Sequence, residues 1–589
     1  MRWLVVTIAL AACGPKAGPL GAGVGGERTP RLLPPPLLDP DARGAGYLTA
    51  VALQLQPGWQ QFLEDCRLRL PARHALNQMT LAATVELAIE AHGKVVDVRV
   101  ASSGNADFDR AVRQVISDAA PLPRPPRELW SDDDRVHLRW QFARDRRQAG
   151  PATATIVDVE LPLQRVVDRL VAAGDLARAA RRIERAPADA KRTAATRTLM
   201  VGALREGLAS SESAVRRAAI EAIGTAQVAE LAGEVQQLAS ATSDIDLRLA
   251  ALASNLAAPE PLLSQLQLDL KTQPQLALAE VKSLVALEQG PAAAAIVRAE
   301  LEAAPPNPIA LQALALVPSR ALVGKLGKWF ANGDPRVRAA VCTALAGNPP
   351  RIAWPLLARG MRDRAASVRA ACVDSAREHA VAAPGRIWML DEVPEQSTAA
   401  RAKAIAALIP LARDHDRAVR AAALQAIARL DWARLPDASG DRAAHVRAAY
   451  AHALWLAANA ARWSDAVNSA ATKLTALFED RDPDVRAAAW TAYEGLPMRV
   501  ALFERAVHAA RDSAPQVRRA VLPSLTDQKL LWQISVADDA PDVRTDALVR
   551  LARVATRESL GPELLERLAV APAGSAERVR TALAWLLAR

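Results

Sequence analysis

The strongest constraint on what this chain can fold into is a dipeptide that keeps returning. Val-Arg stands at Val215-Arg216, Val337-Arg338, Val368-Arg369, Val419-Arg420, Val446-Arg447, Val485-Arg486, Val517-Arg518, Val543-Arg544 and Val579-Arg580, with Leu247-Arg248 as a variant. Five residues before the Val stands an Asp in six copies: Asp363, Asp414, Asp441, Asp480, Asp512 and Asp538. Asn332 fills that place before Val337. Pro335, Pro483, Pro515 and Pro541 lie two before the Val, where the first turn of a helix tolerates a residue without an N–H. Many spacings are about 30 residues, room for two short antiparallel helices and their turns. Alanines follow the dipeptide, as at Ala339-Ala340 and Ala487 to Ala489, and such small side chains let helices approach. The expected unit is a turn held by Asp, then a helix whose Val packs inward. Its Arg reaches the turn of the adjacent repeat, so that charge-assisted hydrogen bonds form a ladder. Residues 248–338 have room for two degenerate repeats, and Ala382–Thr398 has the composition of a loop.

Composition agrees. The chain has 589 residues, 51% hydrophobic but only 4% aromatic, so its apolar mass is mostly Ala and Leu, which favours closely packed helices. That length exceeds what one core can serve. The net charge of +10 is carried mainly by Arg, but Arg and Asp are interleaved rather than clustered. Solvated helix faces follow from this, and nucleic acid is not expected as a partner. The repeat pattern resembles HEAT repeats, particularly the short subtype also found in phycobilin-lyase-like proteins. The resemblance implies an all-α superhelical solenoid over residues 201–589, preceded at 148–200 by connecting helices or a divergent first repeat. Such arrays usually present surfaces to other proteins, although the fold alone fixes no function.

The N-terminus reads as an address. Arg2 precedes an apolar run from Trp3 to Ala12, too short for a mature transmembrane helix and typical of a secretion signal. The run ends in Leu10-Ala11-Ala12-Cys13, which resembles the bacterial lipobox. The resemblance implies a signal at 1–12 that is cut before Cys13, whose thiol is acylated to anchor the protein in a membrane. Gly14 follows, with no Asp to suggest inner-membrane retention, so an outer-membrane anchor facing the periplasm is expected. Residues 13–46 then form a flexible tether rich in Gly and Pro.

Between 47 and 147 the hydrophobic period changes from helical to two. Leu81, Ala83, Val85, Leu87 and Ile89 alternate with Thr84, Glu86, Ala88 and Glu90. After the His92-Gly93 turn, Val96, Val98 and Val100 are expected inward with Asp97 and Arg99 outward, which makes a hairpin. Ser102-Ser103-Gly104-Asn105 then leads into a helix carrying Phe108, Val112 and Ile116, ended by Pro121, Pro123, Pro125 and Pro126. A third strand has Val136, Leu138, Trp140 and Phe142 inward and His137, Arg139 and Gln141 outward. An earlier amphipathic helix carries Val51, Leu55 and Trp59. This α+β order, with Ala83–Ile89, Gly93-Lys94-Val95-Val96-Asp97-Val98, Ser102-Ser103-Gly104, Phe108-Asp109 and the proline run, resembles the C-terminal domain of the TonB/TolA family. The resemblance implies a non-catalytic domain that adds a partner's strand to an open sheet edge. The expected edge is Arg135–Phe142, with His137, Arg139 and Gln141 as its polar residues.

No phosphate loop, HExxH or GxSxG motif is present. His445 and His452 share a helix face without an evident third ligand, so no metal or cofactor is expected. Cys342 and Cys372 occupy similar places in neighbouring repeats, 30 residues apart. Stacked helices usually lie about 8–10 Å apart, so both are expected to be reduced packing residues. The functional expectation is a non-catalytic envelope lipoprotein that binds or scaffolds other envelope proteins, with no small-molecule substrate. The alternatives are a TonB-like transducer for outer-membrane transport and a HEAT-like lyase or other enzyme. If Cys13 carries the anchor, Cys13→Ala is expected to release the chain from membranes or leave it unprocessed. An intact mass placing the mature N-terminus elsewhere, without lipid, would refute the anchor.

Overall fold

The computed structural model describes residues 41–145 and 153–588, apart from 255, 257, 303–305, 349, 380–401, 404, 462–464 and 497–501. The signal at 1–12, Cys13, most of the tether and the expected loop at 382–398 lie outside them. The chain divides into two compact units, with the boundary between Val166 and Val167.

The first unit is a two-layer α+β domain. Helix α1 (Ala45–Arg69) is followed by the hairpin β1 (Ala82–Ile89) and β2 (Val95–Val100), helix α2 (Ala106–Ala119) and strand β3 (Val136–Ala143). A short strand that the period did not reveal, β4 (Thr155–Val157), completes an antiparallel sheet of order β2-β1-β3-β4. The domain therefore runs past the expected boundary at 147. Alternation placed the core correctly: Val85, Leu87, Ile89, Val136, Leu138, Trp140 and Phe142 are buried on one face. There they meet Val51, Leu55 and Trp59 of α1 and Phe108, Val112 and Ile116 of α2. Trp59 stands edge-on to Phe108 and Phe142, with ring centres 5.3 and 5.0 Å away. One expectation is corrected in β2. The register shifts between Ala88 and Ile89, so Val96 has no partner opposite and Val95 pairs with Ile89 instead. A bulge of this kind moves one side chain out of the alternation, and Val95, Val98 and Val100 pack on the core.

The second unit is helical and built on the dipeptide. The Val of every Val-Arg pair, and Leu247 of the variant, is buried. The helices that carry them, with Pro274–Ala286 and Pro308–Ala313 between, pack each on the next: Ser213–Ala226, Ile245–Ala253, Pro274–Ala286, Pro308–Ala313, Pro335–Leu345, Ala366–His379, Arg417–Leu430, Ala444–Ala461, Pro483–Glu494, Pro515–Val521, Pro541–Val554 and Ala576–Leu587. Pro274–Ala286 and Pro308–Ala313 belong to the two degenerate repeats.

The ladder is formed as expected. Arg338 reaches Asp363, Arg369 reaches Asp414, Arg420 reaches Asp441, Arg447 reaches Asp480, Arg486 reaches Asp512 and Arg518 reaches Asp538, at 2.7–2.9 Å. Each Arg also donates to a carbonyl of the turn before its own helix, as Arg447 does to Asp441. Each Asp in turn accepts the N–H two residues on, as Asp480 does from Asp482. The Arg447 hydrogen bonds hold Asp480 below the usual carboxylate range. Burial works against the charges of Asp414, Asp441 and Asp512, but their Arg partners lower them as well.

Two expectations about this unit change. Cys342 and Cys372 form a disulfide with Cα atoms 4.7 Å apart. The two helices approach here because Gly360, packed against both sulfurs, leaves no room for even a Cβ. The last dipeptide also departs from the pattern. Gly574 occupies the place of the turn Asp, and Arg580 turns back to Glu577 at 2.6 Å.

In its stead Arg578 closes the array. Helix Ala576–Leu587 packs on Ala190–Leu208 and Ser213–Ala226, and helix Arg557–Val570 on Leu176–Glu184, so the end of the repeat run returns to its beginning. Arg578 pairs with Glu206 at 2.7 Å, and the Gly574 N–H donates to the same carboxylate at 2.8 Å. Gly207 is required at this seam, since a Cβ there would lie 2.5 Å from a methyl of Val579.

Two outcomes are expected. Arg447 and Asp480 side chains are only 6% and 10% exposed, so Arg447→Ala leaves a nearly buried carboxylate unpaired, at a cost of about 3 kcal/mol. Because the folded Asp480 titrates below its unfolded value, its contribution is present above about pH 4 and lost as pH falls through the folded value. The difference between parent and variant in urea unfolding should shrink accordingly below about pH 4; a pH-independent difference would assign the loss to packing. At the seam, Gly207→Leu is expected to part the two ends, raising the radius of gyration in small-angle scattering with helix content retained. An unchanged radius would mean that the ends need not meet.

Candidate functional site

The sheet of the first unit offers the candidate site, and its geometry begins at two turns. Gly93 adopts a left-handed φ of +83°, and a Cβ there would lie 1.9 Å from the Leu122 carbonyl oxygen. The Leu122 N–H donates to the Gly93 carbonyl at 2.8 Å, so the hairpin tip is pinned to the proline run that follows α2. At the other end of β2, Asn105 caps α2 by accepting the N–H groups of Asp107 and Phe108. Burial opposes the charge on Asp109. Hydrogen bonds from Ser103 and Ser102, with the nearby Arg113, nevertheless hold it below the usual range. The Ser-Ser-Gly turn and Phe108-Asp109 thus serve to fix β2 against α2.

The outer face of the sheet is polar. Arg139 of β3 pairs with Glu86 of β1 at 2.9 Å, and His137 contacts Asp133 at 2.9 Å. On β2, Arg99 and Asp97 pair at 2.8 Å. His137, Arg139 and Gln141 are therefore brought to one face, as their alternation indicated.

The strand that carries them is not an open edge. β3 pairs with β1 along its whole length, from Val136 opposite Ile89 to Ala143 opposite Ala82. On its other side His137, Leu138 and Arg139 face Val157, Ile156 and Thr155 of β4. Backbone groups alternate in direction along an antiparallel strand, so those of His137 and Arg139 turn toward β4 and are covered there, and only Gln141 lies beyond the β4 ladder. Chain order placed β3 last, but the segment that follows it returns to cover it. The β-branched run Thr155-Ile156-Val157 was the available signal.

The long open edge is β2. In its antiparallel ladder with β1, the Ala101 N–H donates to the Thr84 carbonyl at 2.8 Å. Hydrogen-bonded and non-hydrogen-bonded pairs alternate in such a ladder. Arg99 opposite Glu86 and Asp97 opposite Ala88 consequently turn their backbone groups toward β1, while Val98 and Val100 turn theirs outward.

Known proteins match this chain in parts. Residues 44–138 match the family model of the TonB C-terminal domain. Domains of this family belong to cell-envelope proteins that bind other envelope proteins. No curated protein matches the chain. Among solved structures, one of Kap95p with RanGDP has 13% identity and a TM-score of 0.30, covering 68% of this chain and 58% of that one. The chain thus spans little more than half of that protein's length. A structure of microtubule polymerases with TOG domain arrays has 11% identity and a TM-score of 0.19, covering 61% of this chain and 96% of that one. An engineered protein has 15% identity and a TM-score of 0.21, covering 72% and 99%. Among the described residues, no group of three or more His, Cys, Asp and Glu is placed to hold a metal ion, and no helix is long and apolar enough to cross a membrane.

Proposed function

We propose that this protein is a non-catalytic envelope lipoprotein that captures an extended segment of another envelope protein on the β2 edge of its TonB C-terminal domain. The observation that carries this reading is the edge itself. The outward backbone groups of Val98 and Val100 are available for a partner strand, and main-chain hydrogen bonds are the affinity term in β-augmentation. Asp97 and Arg99 keep the edge polar, which guards a free strand against indiscriminate pairing.

Export is supported from two sides. The Leu10-Ala11-Ala12-Cys13 sequence suits acylation and an outer-membrane anchor facing the periplasm. The Cys342–Cys372 disulfide suits an oxidising compartment. The helical array then acts as a scaffold carried behind the docking domain.

Val98→Pro removes an outward donor without touching a β1 hydrogen bond, and proline is tolerated on edge strands. A photocrosslinking residue at Asp97 in cells should capture an envelope partner. The yield should fall about tenfold in Val98→Pro and stay within about twofold in Val98→Ala, which controls for lost side-chain packing. Equal capture by a folded Val98→Pro variant would remove β2 as the docking edge and leave the helical array as the binding surface.

A further inference from the structure

One interruption of the ladder, between Arg248 and Leu276, leaves a surplus acid. The turn position that should receive Arg248, five residues before Leu276, holds Lys271, and the residue after Leu276 is Ala277 rather than Arg. Arg248 therefore bends to Asp269 at 2.7 Å, with Glu280 of the following helix 3.6 Å away. Asp269 is fully engaged, accepting also from Gln265 at 3.1 Å and Thr272 at 3.3 Å. Glu280 is 1% exposed, and its Oε2 has no hydrogen-bond partner. Every regular rung has one buried Asp for one Arg, the second acid at Arg518, Asp539, being exposed; this one has two buried carboxyls for a single guanidinium.

The surplus carboxyl lines a cavity of about 670 Å³ between helices Ala232–Ala241, Ile245–Ala253, Pro259–Thr272 and Pro274–Ala286. That volume is in the range of small-molecule sites. Val235, Leu252 and Leu262 supply apolar wall, Gln265 an amide, and Arg248 is the only basic side chain among the described lining residues. Burial, helped by the Asp269 charge, pushes Glu280 up to about 8 against the pull of Arg248. Burial and the hydrogen bond with Asp269 thus favour the neutral Glu280 carboxyl, and its ionised form calls for a positive charge beyond the one that Arg248 shares between the two acids.

From this juxtaposition we infer that the cavity binds a small organic ammonium ion, whose charged nitrogen pairs with Glu280 beside Gln265 and whose apolar body lies on Val235, Leu252 and Leu262. An ammonium supplies the donors and the positive charge that the cluster lacks. A carboxylate ligand would meet an acid already in excess, and a neutral alcohol brings no charge to favour the ionised carboxylate.

Calorimetric titration of the purified full chain with hexylamine, hexan-1-ol and hexanoate tests this. Hexylammonium is expected to bind at least tenfold more tightly than hexanol, with hexanoate weaker still. Glu280→Gln keeps the shape of the side chain and should lower hexylamine affinity at least tenfold while circular dichroism and hexanol binding stay unchanged. No heat from hexylamine at millimolar concentration would overturn the assignment. So would hexanol binding as tightly as the amine, or equal amine binding by a folded Glu280→Gln variant. If Glu280 serves packing alone, the variant should change the melting temperature and leave the titrations alike.

Discussion

The Arg–Asp rung is the interaction on which the helical array depends. Its geometry does two tasks with one pair. The Asp first closes its own turn by accepting an N–H two residues ahead, so the carboxylate is already positioned when the Arg of the preceding repeat arrives. The Arg meets it with two nitrogens and gives a third to the carbonyls of its own turn. Such forked pairs fix direction as well as distance. Each turn therefore sets the position of the next, which is how a quasi-one-dimensional array propagates order through nearest neighbours. The buried Val beside each Arg supplies apolar contact, and the Arg supplies register.

Where the rung pattern lapses, other contacts take over. The helices Pro274–Ala286 and Pro308–Ala313 carry neither the Arg nor the Asp, and their place in the stack is held by Leu276, Val281, Leu284 and Leu311, all buried. At the end of the run Arg578 and Glu206 reproduce the rung with different residues. An open solenoid needs polar caps on its terminal repeats. Here the final helix covers the apolar face of the first ones, and Gly207 and Val579 meet at that seam.

The small domain teaches a different lesson about legibility. Its strands were readable because one face is buried and the other wet, so the period of two survives in Val85, Leu87, Ile89 and again in Leu138, Trp140, Phe142. Its turns were readable because Gly93 and the proline run have conformational meaning of their own. Its edges were not readable. Which strand lies outermost depends on pairing between distant segments, and β4 is only three residues long. A bulge likewise leaves no mark in the pattern, so Val96 looked like a core residue in a perfect alternation when Val95 holds that place.

By itself the sequence determined the repeat, the inward Val, the turn Asp and the reach of each ladder Arg to an adjacent turn, because these are local spacings multiplied by simple stacking. It also determined the α+β domain and its buried face, because periodicity records solvent contact directly. Tertiary structure alone decided that the array closes on itself, that Cys342 and Cys372 come within bonding distance, that β3 is an inner strand, and that Glu280, with one oxygen lacking a hydrogen-bond partner, lines a cavity. These depend on the sum of many small interhelical angles or on contacts between residues far apart in the chain. No spacing along the sequence encodes such distances.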